Sequence, residues 1–89
     1  MKIDYSSTFL KAYKKRISQN PRLKKKFVRK VKLFAEDPFL PLLDSHKLTG
    51  KLKGSWAFKV DNDCRVVFEF IEDDHVMFTD VGKHDQVYF

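Results

Sequence analysis

The spacing of apolar residues changes once along this chain, and the change predicts an α+β fold. Before residue 37, apolar side chains recur every three or four positions, as on the buried stripe of a helix. From Gly54 onward they alternate with polar residues, as in strands that bury one face. Together with the alternating KIDYS at residues 2–6, the pattern predicts a short first strand and two helices packed on a small antiparallel sheet.

Two start signals and one stop signal mark the predicted helices. Ser6 or Ser7 can cap the first helix, and Asn20 followed by Pro21 is an N-cap with a first-turn proline for the second. Pro38 ends the second helix. The apolar stripes are predicted at Phe9, Leu10, Tyr13 and Ile17, and at Leu23, Phe27, Val31 and Phe34.

Two hairpin loops, DND at 61–63 and EDD at 72–74, predict the register of the sheet. They pair Trp56 with Phe68, Phe58 with Val66, Phe70 with Val76 and Phe68 with Phe78, all on one side. We expect the helices to cover this aromatic side. The opposite side pairs Lys59 with Arg65 and brings Arg65 opposite Val81, where the terminal GKHDQVY leaves the sheet.

Length and composition limit the class of protein. Eighty-nine residues, 43% of them hydrophobic, predict one globular domain over residues 1–89. The apolar stretches fall far short of the ~18 residues of a membrane helix, and no signal peptide is visible after Met1. The lone Cys64 can close no internal disulfide, so we expect a reducing, cytoplasmic location without a membrane partner.

The charge is segregated along the chain. Residues 1–35 hold twelve Lys or Arg side chains against one carboxylate, Asp4, whereas residues 36–89 hold six basic and eleven acidic side chains. The basic half is a candidate surface for a polyanion such as nucleic acid. The alternative interpretation is an ordinary solvated helix face.

The end of the chain carries residues suited to metal-free RNA cleavage. That reaction needs a base for the 2′-OH, an acid for the leaving 5′-oxygen, and cations at the phosphate, and histidine titrates near neutral pH. His84 beside Arg65 and Lys59 would supply such a set, and Tyr88 could stack on a base. Each has an alternative: His84 as a surface histidine, Arg65 as an exposed strand residue paired with Glu69 or Asp63, and Tyr88 as an anchor for the tail. The histidine spacings match no metal-ligand pattern, so we expect no metal or other cofactor.

The segments HKLTGKLKGSWAFKVDNDCRVVFEF and DVGKHDQVY resemble the RelE/ParE superfamily of type II toxin–antitoxin toxins over nearly the whole chain. The most similar branch is that of YafQ and HigB-like toxins. The resemblance implies a RelE-like α+β fold with a catalytic C-terminal tail. It also implies a ribosome-dependent mRNA endoribonuclease, whose partners are mRNA, the ribosome and a cognate antitoxin protein.

The resemblance also assigns residues. Lys59 and Arg65 resemble the phosphate-contacting cations of the family, His84 its proton-transfer residue and Tyr88 its aromatic residue near the scissile nucleotides. His46 is similar to a loop histidine of YafQ-type members, and Asp63 to an acidic position of that branch. Ala57 stands where RelE has a further lysine, and His84 where RelE has an arginine, so proton transfer here would depend on histidines. Which histidine is base and which is acid stays open.

A further group of cations is expected to hold RNA backbone without reading its sequence. It comprises Lys24, Lys25, Arg29, Lys51, Lys53 and Lys83. Two other functions remain open: a ParE-type toxin that acts on DNA gyrase without nuclease activity, and a basic nucleic-acid-binding module.

Overall fold

Side-chain caps begin both long helices where the sequence predicts them. In the computed structural model, which describes residues 1–88, strand β1 (Lys2–Tyr5) precedes helices α1 (Ser7–Arg16) and α2 (Pro21–Glu36). The Ser6 hydroxyl accepts from the backbone N–H of Phe9 (3.0 Å), and the Asn20 side chain accepts from that of Leu23 (3.1 Å). These bonds satisfy N–H groups that would otherwise lack partners.

The rest of the chain forms the sheet and a short terminal helix. Its elements are β2 (His46–Lys47), β3 (Trp56–Asp61), β4 (Cys64–Glu72), β5 (His75–Gly82) and α3 (His84–Val87), with 3₁₀ turns at Pro41–Leu43 and Gly50–Leu52. The strand order is β1-β5-β4-β3-β2. The predicted α+β fold is confirmed. β1 joins the otherwise antiparallel sheet by pairing parallel to β5, which the sequence pattern did not predict.

Aromatic rings fill the space between helices and sheet. Phe34 of α2 stacks on Phe58 at 4.7 Å and meets Phe68 edge-on at 4.9 Å, while Phe9 of α1 lies 5.6 Å from Phe78. The helices therefore cover the aromatic side of the sheet, as predicted. The prediction for Leu10 is wrong, because Leu10 is 54% exposed. Ala12, three residues after Phe9 and on its face of the helix, is buried instead.

The predicted pairings of β3 with β4 are confirmed, including Lys59 opposite Arg65. One prediction for β5 is wrong: Arg65 lies opposite Gly82 rather than Val81. The reason is an irregularity in the ladder, where Val67 pairs with Asp80 but the next residue, Phe68, pairs with Phe78. This brings the start of the C-terminal tail directly beside Arg65. Within residues 1–88, no helix combines the length and apolar composition needed to cross a bilayer.

Candidate functional site

Two histidines and a tyrosine share one cavity. The cavity has a volume of about 350 Å³, and its lining includes His46, Lys47, Lys51, His84 and Tyr88; we call it the histidine cavity. The rings of His84 and Tyr88 meet edge to face with centroids 4.5 Å apart, since Tyr88 is the C-cap of α3 and follows His84 by one turn. Three residues that the sequence assigned separately, on a loop and on the tail, thus line a single site.

A backbone carbonyl fixes the orientation of His46. The Nδ1–H of His46 donates to the carbonyl of Asp44 at 2.8 Å, because a carbonyl can only accept. This leaves Nε2 as the nitrogen available for proton transfer. Asp44 has a φ of 49°, a left-handed conformation that is uncommon for a residue other than glycine. Strain of this kind is concentrated at functional sites.

Tyr88 carries a buried hydroxyl that has no hydrogen-bond partner within residues 1–88. Burial raises the pKa of this phenol, the cation of Arg65 lowers it, and the carboxylate of Asp44 raises it further. The net direction is upward, so the hydroxyl stays protonated at neutral pH. The phenol keeps a free O–H donor, but its oxygen is shielded from solvent, so a ligand reaches it only if a neighbouring group moves aside.

Arg65 lies between the hairpin turn and Tyr88. Its Nη1 donates to the carbonyls of Asp61, Asn62 and Cys64, which hold the guanidinium at the end of the β3–β4 hairpin. The positive charge of Arg65 nevertheless lowers the pKa of the Tyr88 hydroxyl. Within residues 1–88 Arg65 forms no ion pair with a carboxylate, so the predicted alternative of a strand ion pair is not observed.

Lys59 and Asp63 lie outside the histidine cavity. Both line a larger cavity of about 720 Å³ between α2, the β3–β4 hairpin and the start of the tail. We call it the cationic cavity, after its six basic residues: Arg22, Lys26, Arg29, Lys30, Lys59 and Lys83. The predicted convergence of His84, Arg65 and Lys59 in one cleft is thus not observed. The reason is that β2 pairs only with Trp56 and Ala57, so Lys59 stands on an uncovered edge of β3 beside α2.

The predicted RNA-binding cations are spread over several surfaces. Lys51 lines the histidine cavity, Arg29 and Lys83 line the cationic cavity, and Lys53 lines a third cavity of about 340 Å³ on the outer face of the sheet. Lys24 and Lys25 are exposed on α2. Among residues 1–88, no group of three or more His, Cys, Asp or Glu side chains could hold a metal ion.

Sequence reasoning missed the residues that fix the tail. Arg16, at the end of α1, donates to the carbonyl of Val81 (3.0 Å) and pairs with Asp80 (3.4 Å). The Gln86 side chain accepts from the backbone N–H of Lys83 (2.7 Å). A Cβ on Gly82 would lie 2.6 Å from Gln86 Oε1 and 2.8 Å from Arg16 Nη1. The glycine before the tail was the available signal, since a side chain there would displace the ends of Gln86 and Arg16.

A family model described as "Bacterial toxin of type II toxin-antitoxin system, YafQ" matches residues 1–88. The chain belongs to the YafQ family. Among curated proteins no sequence matches it significantly. The resemblance noted in the sequence is therefore confirmed at the level of the YafQ family, and this YafQ-family chain is a toxin of a type II toxin–antitoxin system.

Solved structures share the fold at low sequence identity. YafQ from E. coli strain BL21(DE3) is 21% identical with a TM-score of 0.80, over 98% of this chain and 97% of that one. A YoeB/ParE toxin from Agrobacterium tumefaciens is 18% identical with a TM-score of 0.77, over 94% and 99%. The E. coli DinJ-YafQ toxin-antitoxin complex matches at 22% identity and a TM-score of 0.70, over 98% and 96%. At these identities the likeness shows the fold alone.

Proposed function

We propose that this YafQ-family toxin is an mRNA endoribonuclease that cleaves message bound to the ribosome. The observation that carries the proposal is the histidine cavity, in which His46, His84 and the unpartnered hydroxyl of Tyr88 share one site. Two imidazoles meet the needs of 2′-OH attack, since one removes the 2′ proton and the other protonates the 5′-oxygen. Either histidine can take either role.

The cleavage is proposed to proceed without a metal. The 2′-oxygen attacks the phosphorus as its proton passes to one imidazole, and the P–O5′ bond breaks as the other imidazole delivers a proton. The products are a 2′,3′-cyclic phosphate and a 5′-hydroxyl. Negative charge grows on the phosphate oxygens, where the Tyr88 hydroxyl donates a hydrogen bond and Arg65 and Lys51 supply positive charge.

Lys47 supports the cavity from β2. Its ammonium lies 5.6 Å from the centroid of the Trp56 ring, a cation–π contact that restrains the side chain at the cavity edge. In this scheme Lys59 and Asp63 act on the RNA away from the scissile phosphate, since they line the cationic cavity. Lys24, Lys25 and Lys53 contact ribosomal or messenger RNA backbone.

A cognate antitoxin is the proposed protein partner. The family is defined as toxins of type II systems, and related folds are seen in the DinJ-YafQ complex of E. coli and the YoeB-YefM complex of Staphylococcus aureus. Expression of this chain in bacteria should arrest growth, and co-expression of the neighbouring open reading frame should relieve the arrest. Cytoplasmic action follows from a ribosomal target.

The decisive experiment replaces His84 with glutamine, which keeps a polar side chain but cannot transfer protons near neutral pH. We expect His84→Gln to reduce cleavage of ribosome-bound message by at least about 100-fold, because general acid–base catalysis is lost. Cleavage is measured by primer extension. The wild-type rate should follow a bell-shaped pH profile, since one histidine must be neutral and the other charged.

Asp85→Asn is the matched control, because Asp85 is the exposed neighbour of His84 on α3. It should change the cleavage rate by less than about threefold, the effect of a surface charge. Equal cutting by wild type and His84→Gln would refute the proposed role of His84, and the absence of cuts by the wild type would refute the nuclease. Growth arrest without any cuts would favour the gyrase-directed alternative, which a supercoiling assay tests.

A further inference from the structure

The cationic cavity is large enough for a ligand of its own. Its volume of about 720 Å³ lies within the usual range of roughly 300–1,000 Å³ for small-molecule sites. Its lining comes from Ile17 and Asn20 before α2, from α2 between Arg22 and Lys30, from the β3–β4 hairpin, and from Gly82–Lys83 at the start of the tail. It is concave and shares no lining residue with the histidine cavity.

Positive charge dominates this cavity. Six cations line it against two carboxylates, Asp61 and Asp63, an excess of four positive charges. Lys26 pairs with Asp61 at 3.6 Å, and the ammonium of Lys30 donates to the carbonyl of Val60 at 3.1 Å. The other four cations, Arg22, Arg29, Lys59 and Lys83, form no ion pair within residues 1–88.

The mutual repulsion of these cations is visible at Lys30. Burial lowers the pKa of Lys30, and the charges of Lys59, Arg29 and Lys26 lower it further, while Asp61 raises it. The two carboxylates therefore do not neutralise the cavity. A bound anion would reduce the repulsion among charges that the fold holds together.

We propose that the cationic cavity binds a ligand with two or more linked phosphates. Arginine can engage phosphate oxygens with two parallel N–H groups, and lysine contributes a compact charge. Cations that converge from three segments suit adjacent phosphate groups better than a single carboxylate. This chemistry occurs in a free polyphosphate and in an RNA backbone. Where the ligand is RNA, the inference rests on the proposed function, which places Lys59 and Asp63 on RNA in this cavity; where the ligand is a free polyphosphate, it goes beyond that function.

The test measures binding of inorganic tripolyphosphate and, separately, of a 2′-O-methyl oligouridylate by calorimetry. The methylated RNA cannot be cleaved by 2′-OH attack, so binding is read without catalysis. We expect the double variant Arg22→Gln, Arg29→Gln to weaken binding by about tenfold or more, as expected for lost charge-assisted hydrogen bonds. Lys59→Gln tests the same cavity from β3, and thermal unfolding checks that each variant is folded.

The matched control is Lys14→Gln, Lys15→Gln, which removes the same charge from exposed positions of α1 outside the cavity. It should weaken binding by less than about threefold, the range of screened surface charges. His84→Gln should bind as wild type does, even if it is inactive. Tripolyphosphate binding that is lost in the cavity variants identifies a free polyphosphate as ligand, and loss confined to the RNA arm identifies the backbone. Absence of binding in both arms, or equal loss in the two double variants, overturns the proposal.

Discussion

Tyr88 in the histidine cavity and Asp44, which binds His46 beside it, adopt unfavourable states. Asp44 has a left-handed backbone, and Tyr88 buries a hydroxyl that has no partner within residues 1–88. A buried polar group without a hydrogen bond costs about 1–3 kcal/mol of stability. Such costs are retained where function requires them. We therefore expect the hydroxyl to serve ligand contact rather than the stability of the free chain.

Tyr88→Phe should separate stability from activity. Because the substitution removes only the unpartnered hydroxyl, the free energy of unfolding should stay constant or rise by about 1 kcal/mol. Ribosome-dependent cleavage should fall at least about tenfold, since a donor to the phosphate is lost. Urea denaturation and primer extension measure the two effects.

Tyr5→Phe serves as the control, since Tyr5 is 45% exposed on β1. It should leave cleavage unchanged. A Tyr88→Phe protein that is less stable by more than about 1 kcal/mol would show that the hydroxyl has a partner in the free chain.

At the scale of elements, α3 depends on contacts from outside itself. It spans only four residues, too few to form an independent helix. Arg16 holds the preceding strand end, Gln86 caps the helix start, and Gly82 leaves room for both side chains. The position of His84 therefore depends on the end of α1 as much as on the tail.

Gly82→Ala should disturb this arrangement. The added methyl must displace the side chains of Gln86 and Arg16, so we expect a loss of about 1–3 kcal/mol in the free energy of unfolding. Cleavage should fall further than the folded fraction explains, because α3 carries His84. The two quantities are compared by denaturation and primer extension at one temperature.

Gly54→Ala is the matched control. Gly54 has a φ of +98° with no atom within 4 Å of an added Cβ, so alanine strains only the local backbone. That variant should lose stability while its folded fraction cleaves normally. If both alanine variants keep full activity per folded molecule, the tail does not depend on Gly82.

Local patterns in the sequence predict the elements well. The caps at Ser6 and Asn20 and the pairing of Trp56 with Phe68 depend on residues close in sequence or on hairpin turns, and all three are confirmed. The β4–β5 irregularity could not be predicted, because it depends on how two packed strands fit together. The parallel pairing of β1 with β5 could not be predicted either, because it joins two segments that lie far apart in the sequence.

The candidate site was predicted in part. His46, His84 and Tyr88 were named from the sequence and share a cavity. Lys59 was assigned to the same cleft because alternation fixes the face of a residue on the sheet. The alternation of side chains does not determine where a long side chain extends at an uncovered strand edge. β2 is too short to cover Lys59, so this side chain lies at such an edge.

At the scale of the whole molecule, α2 divides its cations between two surfaces. Arg22, Lys26, Arg29 and Lys30 line the cationic cavity, whereas Lys24 and Lys25 are exposed outside it. The helix can therefore hold a ligand on one side while it contacts a polyanion on another. Loss of charge in the cavity should weaken binding of its ligand, whereas the same loss at Lys24 and Lys25 should weaken contact with the polyanion.

Association with ribosomes should weaken steeply with salt. Each phosphate contact to single-stranded RNA contributes about 0.7 to the slope of log affinity against log salt. Lys24→Gln, Lys25→Gln should therefore reduce this slope by about 1.4, the contribution of two contacts, measured by co-sedimentation over a KCl series. Lys2→Gln, on β1 at the far edge of the sheet, should leave it unchanged. A slope equal to that of wild type in the double variant would exclude this face from RNA contact.

The parallel pairing of β1 with β5 has a consequence for synthesis. The backbone N–H of Lys2 donates to Asp74, and Lys2 to Tyr5 align with His75 to Phe78, so the first strand has no partner until that distant segment has been translated. While the polypeptide emerges, its two amphipathic helices lack the surface they bury against. His84 and Tyr88 follow later still. Under the proposed function, a nascent copy should therefore be unable to cleave the message from which it is translated until His84 and Tyr88 have been added.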